Sequence, residues 1–349
     1  MRVLHLIESL GGGVLSSVLA MVDATPAVEH HVAVWPRRSH ADTGDRLDAF
    51  SGVHELRRPL PQALRAADDL VHGLGPDQVH AHSSYAGLLA RILNPAVDVA
   101  YSPHCFAFER QDLGAATRAG VRRIERSLAG RTAVLVACSP REAALARALG
   151  HRRVVTVPNR ALDVPDLRAR FSPDLRVVTV GRIGPQKDWP YLLRAKGYLE
   201  DVLGCHVEWE WLGGGDRDAE RTLRAHGVSV AGWLPRTQVL ERLSRAHVYV
   251  HTAAWEGAPI SILEAAALGL PLVVRGIPGL LSLDVPGATR TAADLADRIG
   301  RLRDPDLWSA EQQRSLHFAA GHTLRRQRDR LTAAYGLATP DLVQSSRLR

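Results

Sequence analysis

The amino-acid sequence predicts an α/β protein built as two doubly wound domains, each a parallel sheet covered by helices. Short β-rich runs alternate with helical patterns through most of the 349 residues, the order that βαβ units impose. The alternation also stops and restarts. Residues 158–173 hold Pro158, Pro165 and Pro173 and no apolar periodicity, as a linker does. The chain is long enough for two cores of ordinary size. The domains are expected at 1–160 and 174–320, joined by 161–173 and followed by a C-terminal helix and tail at 321–349. Two such domains face each other across a crevice, and ligands of doubly wound sheets bind at the carboxyl ends of the strands.

The first strand, Val3–Ile7, is a short apolar run that meets glycines directly, so no secretory signal is read there. β-rich runs bounded by turn residues give further strands near His31–Trp35, Gln78–His82, Val99–Ser102, Val134–Cys138 and Val154–Val157. Apolar residues at helical spacing give the connecting helices near Ser16–Asp23, Leu60–His72, Ser84–Leu93, Val121–Ala129 and Pro140–Leu149. Past the linker, strands are expected near Arg176–Val180, His206–Leu212, Val228–Ala231, Val248–His251 and Leu272–Arg275. They alternate with helices near Trp189–Tyr198, Ala219–His226, Gln238–Ala246, Ser261–Leu268 and Thr291–Arg303. The run Asp304–Tyr335 is polar and helical, and the tail after Thr339-Pro340 is short and expected to fray.

Composition excludes several classes. With 46% hydrophobic and 23% charged residues the chain is globular rather than disordered. Cys105, Cys138 and Cys205 form no spaced set, so neither a disulfide framework nor a zinc motif is read, and a reducing cytoplasm is the default compartment. No apolar run approaches the roughly 20 residues of a spanning helix. The formal charge of +7 favours anionic partners. Much of it is clustered, at Arg118, Arg122, Arg123, Arg126 and Arg131 and again at Arg325, Arg326, Arg328 and Arg330. A solvated arginine face explains such clusters. So does docking on the anionic inner face of a membrane, where each basic residue contributes about 1 kcal/mol. Aromatics are 5% and none interleave with these arginines, so nucleic acid is not an expected partner.

The richest stretch runs from Trp255 to Pro271, where Glu256 and Glu264 lie eight positions apart across a Gly257-Ala258-Pro259 turn and the start of an alanine-rich helix. Strand, small-residue turn and helix aim backbone N–H groups at an anion. A glutamate on the second helical turn still reaches hydroxyls of a ligand whose phosphates lie at the helix start. Phosphate plus hydroxyls describes a sugar nucleotide; an ordinary buried βα connection is the plainer alternative. In Gly181-Arg182-Ile183-Gly184-Pro185-Gln186-Lys187, a guanidinium and an ammonium lie five residues apart on one glycine-bearing loop. That suits a departing diphosphate, or it is two surface cations.

Gly11-Gly12-Gly13 after the first strand lets backbone approach a ligand, or makes a plain tight turn. As a dinucleotide fingerprint it fails, since Ser16 replaces the third glycine and Trp35-Pro36-Arg37 carries no ribose-binding acid. His80 and His82 alternate onto one face at a strand end. No third ligand is evident, so a non-metal role is favoured over half a metal site. His104 follows the next strand, as a structural hydrogen-bonder or a catalyst. In Gly215-Asp216-Arg217-Asp218 an aspartate is read as a helix cap rather than a metal ligand.

Together these residues resemble glycosyltransferase family 4, the retaining sugar-nucleotide transferases of the GT-B fold, with two Rossmann-like domains. The resemblance runs through nearly the whole chain. Its most specific part is Glu256 to Glu264 followed by Gly269-Leu270-Pro271. Gly181-Arg182 with Lys187, His80 to Gly87 and Ser102-Pro103-His104 add to it. The resemblance implies that Arg182 and Lys187 hold the donor diphosphate, with Gly181 and backbone N–H groups from Ala258 through Pro259 and Ile260 to Ser261. Glu264 is implied to bind the nucleotide ribose, and Glu256, beside Gly257, the donor sugar hydroxyls. His104 is implied to lie against the donor sugar, with Gly12 and Gly13 bordering the same cleft.

No metal and no cofactor are implied beyond the nucleoside diphosphate sugar itself. Two departures stand out: Cys105 where a glycine usually follows the histidine, and Arg160 in Pro158-Asn159-Arg160 where a glycine is usual. The implied reaction moves a hexose to an acceptor hydroxyl of a lipid-linked or polysaccharide-precursor glycan. A soluble natural product as acceptor, or a catalytically silent sugar-nucleotide-binding scaffold, are the alternatives.

Overall fold

The computed structural model describes residues 1–35, 46–56, 59–93 and 96–337. Pro36-Arg37 and the tail after Thr339-Pro340 lie outside the described residues. The chain forms two compact units, one of Met1–Glu109, Leu113–Arg160 and Thr323–Arg349, the other of Ala161–His322 with Arg110–Asp112.

In the N-terminal unit seven strands make a parallel sheet: β1 (Arg2–Ile7), β2 (Glu29–Val34), β3 (Gly52–Glu55), β4 (Gln78–His82), β5 (Asp98–Ser102), β6 (Val134–Ala137) and β7 (Val154–Thr156). Their order is β3-β2-β1-β4-β5-β6-β7. The helices are α1 (Gly12–Ala24), α2 (Leu60–Leu74), α3 (Ser83–Leu93), α4 (Ala115–Leu128) and α5 (Pro140–Leu149). The central strands β1 and β4 are buried along nearly their whole length, β1 as a mostly apolar run and β4 with two histidines alternating with apolar residues.

The C-terminal unit repeats the design with six strands: β8 (Arg176–Val180), β9 (Glu208–Leu212), β10 (Val228–Gly232), β11 (Val248–His251), β12 (Leu272–Arg275) and β13 (Ala288–Thr289). Their order is β10-β9-β8-β11-β12-β13. Its helices are α6 (Trp189–Leu203), α7 (Arg217–Ala225), α8 (Arg236–Arg245), α9 (Ile260–Ala267), α10 (Pro278–Leu281), α11 (Ala292–Arg301) and α12 (Pro305–Ala320). Fully buried Trp209 and Trp211 anchor its core.

The last helix, α13 (Leu324–Tyr335), packs on the N-terminal unit. Its Leu331, Ala334 and Tyr335 join Val3, Met21 and Ala24 in one cluster. Arg160 fastens it. The guanidinium pairs with Asp23 and donates through Nε to Gln327 Oε1 at 3.0 Å, so the arginine that departs from the family's glycine has a structural task. Asp216 caps α7, accepting from the N–H groups of Asp218 and Ala219 at 2.9 and 3.1 Å. No helix among the described residues is long and apolar enough to cross a membrane.

Candidate active site

In both sheets the strand order reverses once, between β1 and β4 and between β8 and β11. In each sheet the loops leaving those carboxyl ends are where open α/β sheets take ligands. The expected site residues sit on them or one step away. Gly12, Gly13 and His104 belong to the N-terminal unit, and the remainder to the C-terminal one.

In the C-terminal unit β8 runs into Gly181, at φ +143°. A Cβ there would lie 2.5 Å from Lys187 Cε, and one on Gly213 would lie 2.2 Å from the Gly181 carbonyl oxygen, so the loop is closed by backbone contact. Its end is held by Asp188, which caps α6 and pairs with Arg275 at 2.6 Å. Thr252 Oγ1 donates to the Lys187 carbonyl at 2.6 Å, and Gln186 Nε2 donates to the Trp255 carbonyl at 3.2 Å. These ties bring two expected residues into direct contact: the Lys187 ammonium pairs with the Glu256 carboxylate, and both side chains are 12% exposed. Arg182 is exposed on the same loop.

Glu256 is positioned from below. A Cβ on Gly279 would stand 2.2 Å from the Glu256 carbonyl oxygen, so α10 can approach only through a glycine. His251, fully buried at the end of β11, puts Nε2 3.7 Å from Glu256 Oε1. Its Nδ1 bonds the Tyr249 hydroxyl at 3.0 Å, which in turn meets Ser261 Oγ at 2.8 Å. Burial first, and Lys187 second, push the His251 pKa well below its usual value. His251 is therefore a neutral neighbour of the carboxylate, a role that strand-like sequence gave no reason to assign.

α9 begins where expected, one residue early at Ile260. Pro259 stands at the capping position with extended backbone, φ −69° and ψ 125°. Having no N–H, it drops out of the donor set expected from 258 to 261. The N–H groups of Ile260 and Ser261 have no intrahelical acceptor, and α9 carries no acidic first-turn residue or side-chain cap among the described residues. Glu264, 6% exposed, accepts from Arg236 Nε at 2.7 Å. Burial raises its pKa and Arg236 opposes the rise. Arg236, at the start of α8, also bonds the Leu162 carbonyl. The sequence did not single it out; a lone arginine after Pro235 carries no motif.

In the N-terminal unit α1 starts at Gly12, φ +70°, with open space around both Gly12 and Gly13. His104 and Cys105 occupy the left-handed region in succession, at φ +51° and +82°, which non-glycine residues hold only when the surroundings over-determine it. The determinant is Glu142, 2% exposed. Its two carboxylate oxygens accept from the N–H groups of Cys105 and Cys138, each at 2.7 Å. Ser139-x-x-Glu142 has capping-box spacing, and Ser139 Oγ does accept from the Glu142 N–H at 3.2 Å, but the carboxylate is turned to this turn instead.

His80 and His82 share a face, as their alternation requires, and the structure adds three rings that the sequence left scattered. His5 Nδ1 lies 2.9 Å from His82 Nε2, and His5 Nε2 lies 2.9 Å from His30 Nδ1. His82 Nδ1 lies 3.0 Å from His104 Nε2. His80 bonds Tyr335 Oη and Ser102 Oγ at 2.8 and 2.9 Å. Nitrogens of His5, His80 and His82 come within 4.8 Å of one another, close enough to share a metal ion. Every ring nitrogen of the three already has a hydrogen-bond partner, so an ion would have to break those bonds.

Two doubly wound α/β units with glycine loops at their switch points, and a Glu-x7-Glu element on the second, have the architecture of a GT-B glycosyltransferase. Residues 12–160 match the family model "Glycosyl transferase 4-like domain", and residues 174–304 match "Glycosyl transferases group 1". The chain belongs to the group 1 glycosyltransferases.

Among curated relatives, an uncharacterized 41.2 kDa protein in the cps region of Klebsiella pneumoniae is 22% identical over 92% of this chain and 95% of that protein. The UDP-Gal:alpha-D-GlcNAc-diphosphoundecaprenol alpha-1,3-galactosyltransferase of Escherichia coli is 27% identical over 58% of each chain. The amylovoran biosynthesis glycosyltransferase AmsK of Erwinia amylovora is 32% identical over 35% of this chain and 33% of its own length. Among solved structures, TarM superposes with a TM-score of 0.80 at 9% identity, covering 96% of this chain and 98% of that one. Anabaena HepE in complex with UDP-glucose does so at 0.74 and 18%, covering 99% and 100%.

Proposed function

We propose that this chain transfers a hexosyl group from a nucleoside diphosphate sugar to an acceptor hydroxyl, with retention of configuration. The observation that carries the reading is the Lys187–Glu256 pair at the carboxyl ends of β8 and β11, with Glu264 one turn into the adjoining α9. Without donor, cation and carboxylate satisfy each other. A diphosphate is the stronger partner for the ammonium, and its arrival frees Glu256 to accept hydrogen bonds from sugar hydroxyls. Glu264, kept in place by Arg236, meets the ribose hydroxyls.

As the anomeric carbon–oxygen bond breaks, charge grows on the departing phosphate. Lys187, Arg182 and the first N–H groups of α9 stabilise it, donors of a kind that each contribute about 3 to 4 kcal/mol to the transition state. In the same step the acceptor oxygen bonds the anomeric carbon from the face the phosphate leaves, and a phosphate oxygen takes the acceptor's proton. These fixed cations offset the developing charge, so the reading takes no metal and no cofactor.

The acceptor in this reading is a lipid-linked or polysaccharide-precursor glycan at the inner membrane face. The names of the Klebsiella, Erwinia and Escherichia relatives support it. So does α4, whose buried residue is Glu125, while Arg122, Arg123 and Arg126 are exposed and Ile124 is 50% exposed.

The test is thermal stabilisation by nucleoside diphosphates and their sugars, wild type beside Glu264→Ala, followed by the anomeric configuration of the product with the donor that binds. A ligand at 100 times its Kd stabilises by about 2.7 kcal/mol. A shift with one nucleotide class that the variant loses is expected. No shift with any of them would overturn the reading. Flotation with phosphatidylglycerol vesicles, lost when Arg122, Arg123 and Arg126 become Glu, is expected of the membrane part; unchanged flotation would remove it.

A further inference from the structure

The N-terminal unit contains four imidazoles in one hydrogen-bonded row, His30–His5–His82–His104, with successive N···N distances of 2.9, 2.9 and 3.0 Å. Neutral imidazole has one N–H and one lone pair. In such a row every ring must therefore point its N–H the same way, and whatever fixes one end fixes the other. The buried end is fixed. His30 Nε2 faces Thr25 Oγ1 at 3.0 Å and the Thr25 carbonyl oxygen at 3.3 Å. A carbonyl only accepts, and the threonine hydroxyl spends its proton on the Met21 carbonyl at 2.8 Å. His30 Nε2 must then carry the proton.

From there the row reads in one direction. His30 Nδ1 accepts from His5 Nε2–H, His5 Nδ1 accepts from His82 Nε2–H, and His82 Nδ1 accepts from His104 Nε2–H. His104 is left with a bare Nδ1, which has no hydrogen-bond partner among the described residues. We infer that Thr25, His30, His5 and His82 are positioning residues that set the tautomer of His104, so that its Nδ1 meets a ligand hydroxyl as a pure acceptor.

The setting favours neutral rings throughout. Burial lowers the pKa of His30 and of His104 to about 4, and burial together with neighbouring imidazoles holds those of His5 and His82 well below their usual value. At the strained φ of +51° His104 keeps Nε2 on His82 while the residue remains partly exposed. A bare nitrogen accepts from O–H and repels phosphate oxygens. The class of ligand group is therefore a hydroxyl, and taking it as a sugar hydroxyl of the donor rests on the function proposed above.

The full chain labelled with 15N-histidine decides the matter through long-range proton–nitrogen correlation at pH 7.5. The Nδ1 resonances of all four rings are expected at the position of an unprotonated nitrogen, and Nε2 at that of a protonated one. A proton on His104 Nδ1 in the wild type would overturn the inference. His30→Leu removes the acceptor for His5 Nε2–H. Burying a lone pair against leucine costs less than burying an unpaired N–H, so the row should reverse and His104 should take its proton on Nδ1, three rings from the substitution.

UDP-glucose affinity should then fall roughly tenfold, the worth of one hydrogen bond, while UDP affinity holds. His30→Asn, whose Oδ1 stands close to the former Nδ1, should restore both the tautomer and the affinity. An unchanged His104 spectrum in His30→Leu refutes the coupling. If the wild type binds neither UDP-glucose nor any other nucleoside diphosphate sugar, the donor reading fails while the nitrogen spectrum still decides the tautomer. If His30→Leu does not fold, the wild-type spectrum decides alone.

Discussion

Acidification from pH 7 to pH 5 should unfold the N-terminal unit well before the C-terminal one. The N-terminal unit buries His5, His30, His80, His82 and His151 and leaves His104 partly exposed, and burial is the leading cause of a lowered pKa in each: to about 4 for His30, His104 and His151, about 3 for His80, and well below the usual value for His5 and His82. A histidine whose folded pKa lies below about 6.5 contributes its stability above that value. It loses it as the pH falls toward the folded pKa, because the unfolded chain takes up a proton the folded one refuses. Each such proton removes about 1.4 kcal/mol per pH unit, so six of them remove roughly 7 kcal/mol between pH 6 and pH 5.

That is comparable with the whole stability of a domain, about 5 to 15 kcal/mol. Glu142 works the other way, its pKa raised by burial, but it is one proton against six. In the C-terminal unit His247 and His251 are lowered. Urea titrations at pH 7, 6 and 5 check this with two probes. Tryptophan fluorescence follows the C-terminal unit, which holds Trp189, Trp209, Trp211, Trp233, Trp255 and Trp308, while circular dichroism follows both. Coincident midpoints that do not move between pH 7 and 5 would refute the reasoning.

Glu256→Gln should tighten UDP binding by about tenfold, because Lys187 no longer has a carboxylate to leave; one partly buried pair is taken as about 1 to 1.5 kcal/mol net. The same variant should bind UDP-glucose less favourably than UDP, which calorimetry of the two ligands measures. Cys105→Gly should raise stability by about 1 kcal/mol, since φ +82° strains any side chain and suits glycine; chemical denaturation checks it. Glu125→Leu should cost about 3 to 5 kcal/mol by stranding the fully buried Arg91, which now donates to Glu125 Oε2 at 2.8 Å, and a fall in Tm reports it.

The doubly wound halves, and the loops that leave β1, β8 and β11, were legible because glycines and turn residues interrupt apolar strands there. Gln78–His82, Arg176–Val180, Val248–His251 and Leu272–Arg275 are found with the expected bounds. β3 was missed because Gly52-Val53-His54-Glu55 offers one apolar residue, and β13 because it has two residues. α4 begins six residues before the expected Val121 because a helix that buries Glu125 shows little apolar periodicity. At the site, carboxylate and cation types were readable, yet their partners were not. Arg236, His251 and Glu142 reach their targets through the fold. The alternation at His80 and His82 marked one face, but His5, His30 and His104 meet them only when separate strands and a strained turn come together.

The return of α13 to the first unit has a consequence for how the molecule is made. A ribosome delivers β1 to β7 long before residues 324–335, so the sheet face bearing His80 must wait, lacking its Tyr335 hydroxyl and the shelter of Leu331 and Ala334. Gln327, which takes the Arg160 guanidinium and donates to the Pro158 carbonyl, arrives at the same late moment. The C-terminal unit, drawn from one nearly continuous stretch, can complete itself first. For this protein the half synthesised first is the half that finishes last, and a nascent chain stopped before α13 would present an unfinished surface to the chaperones that meet it.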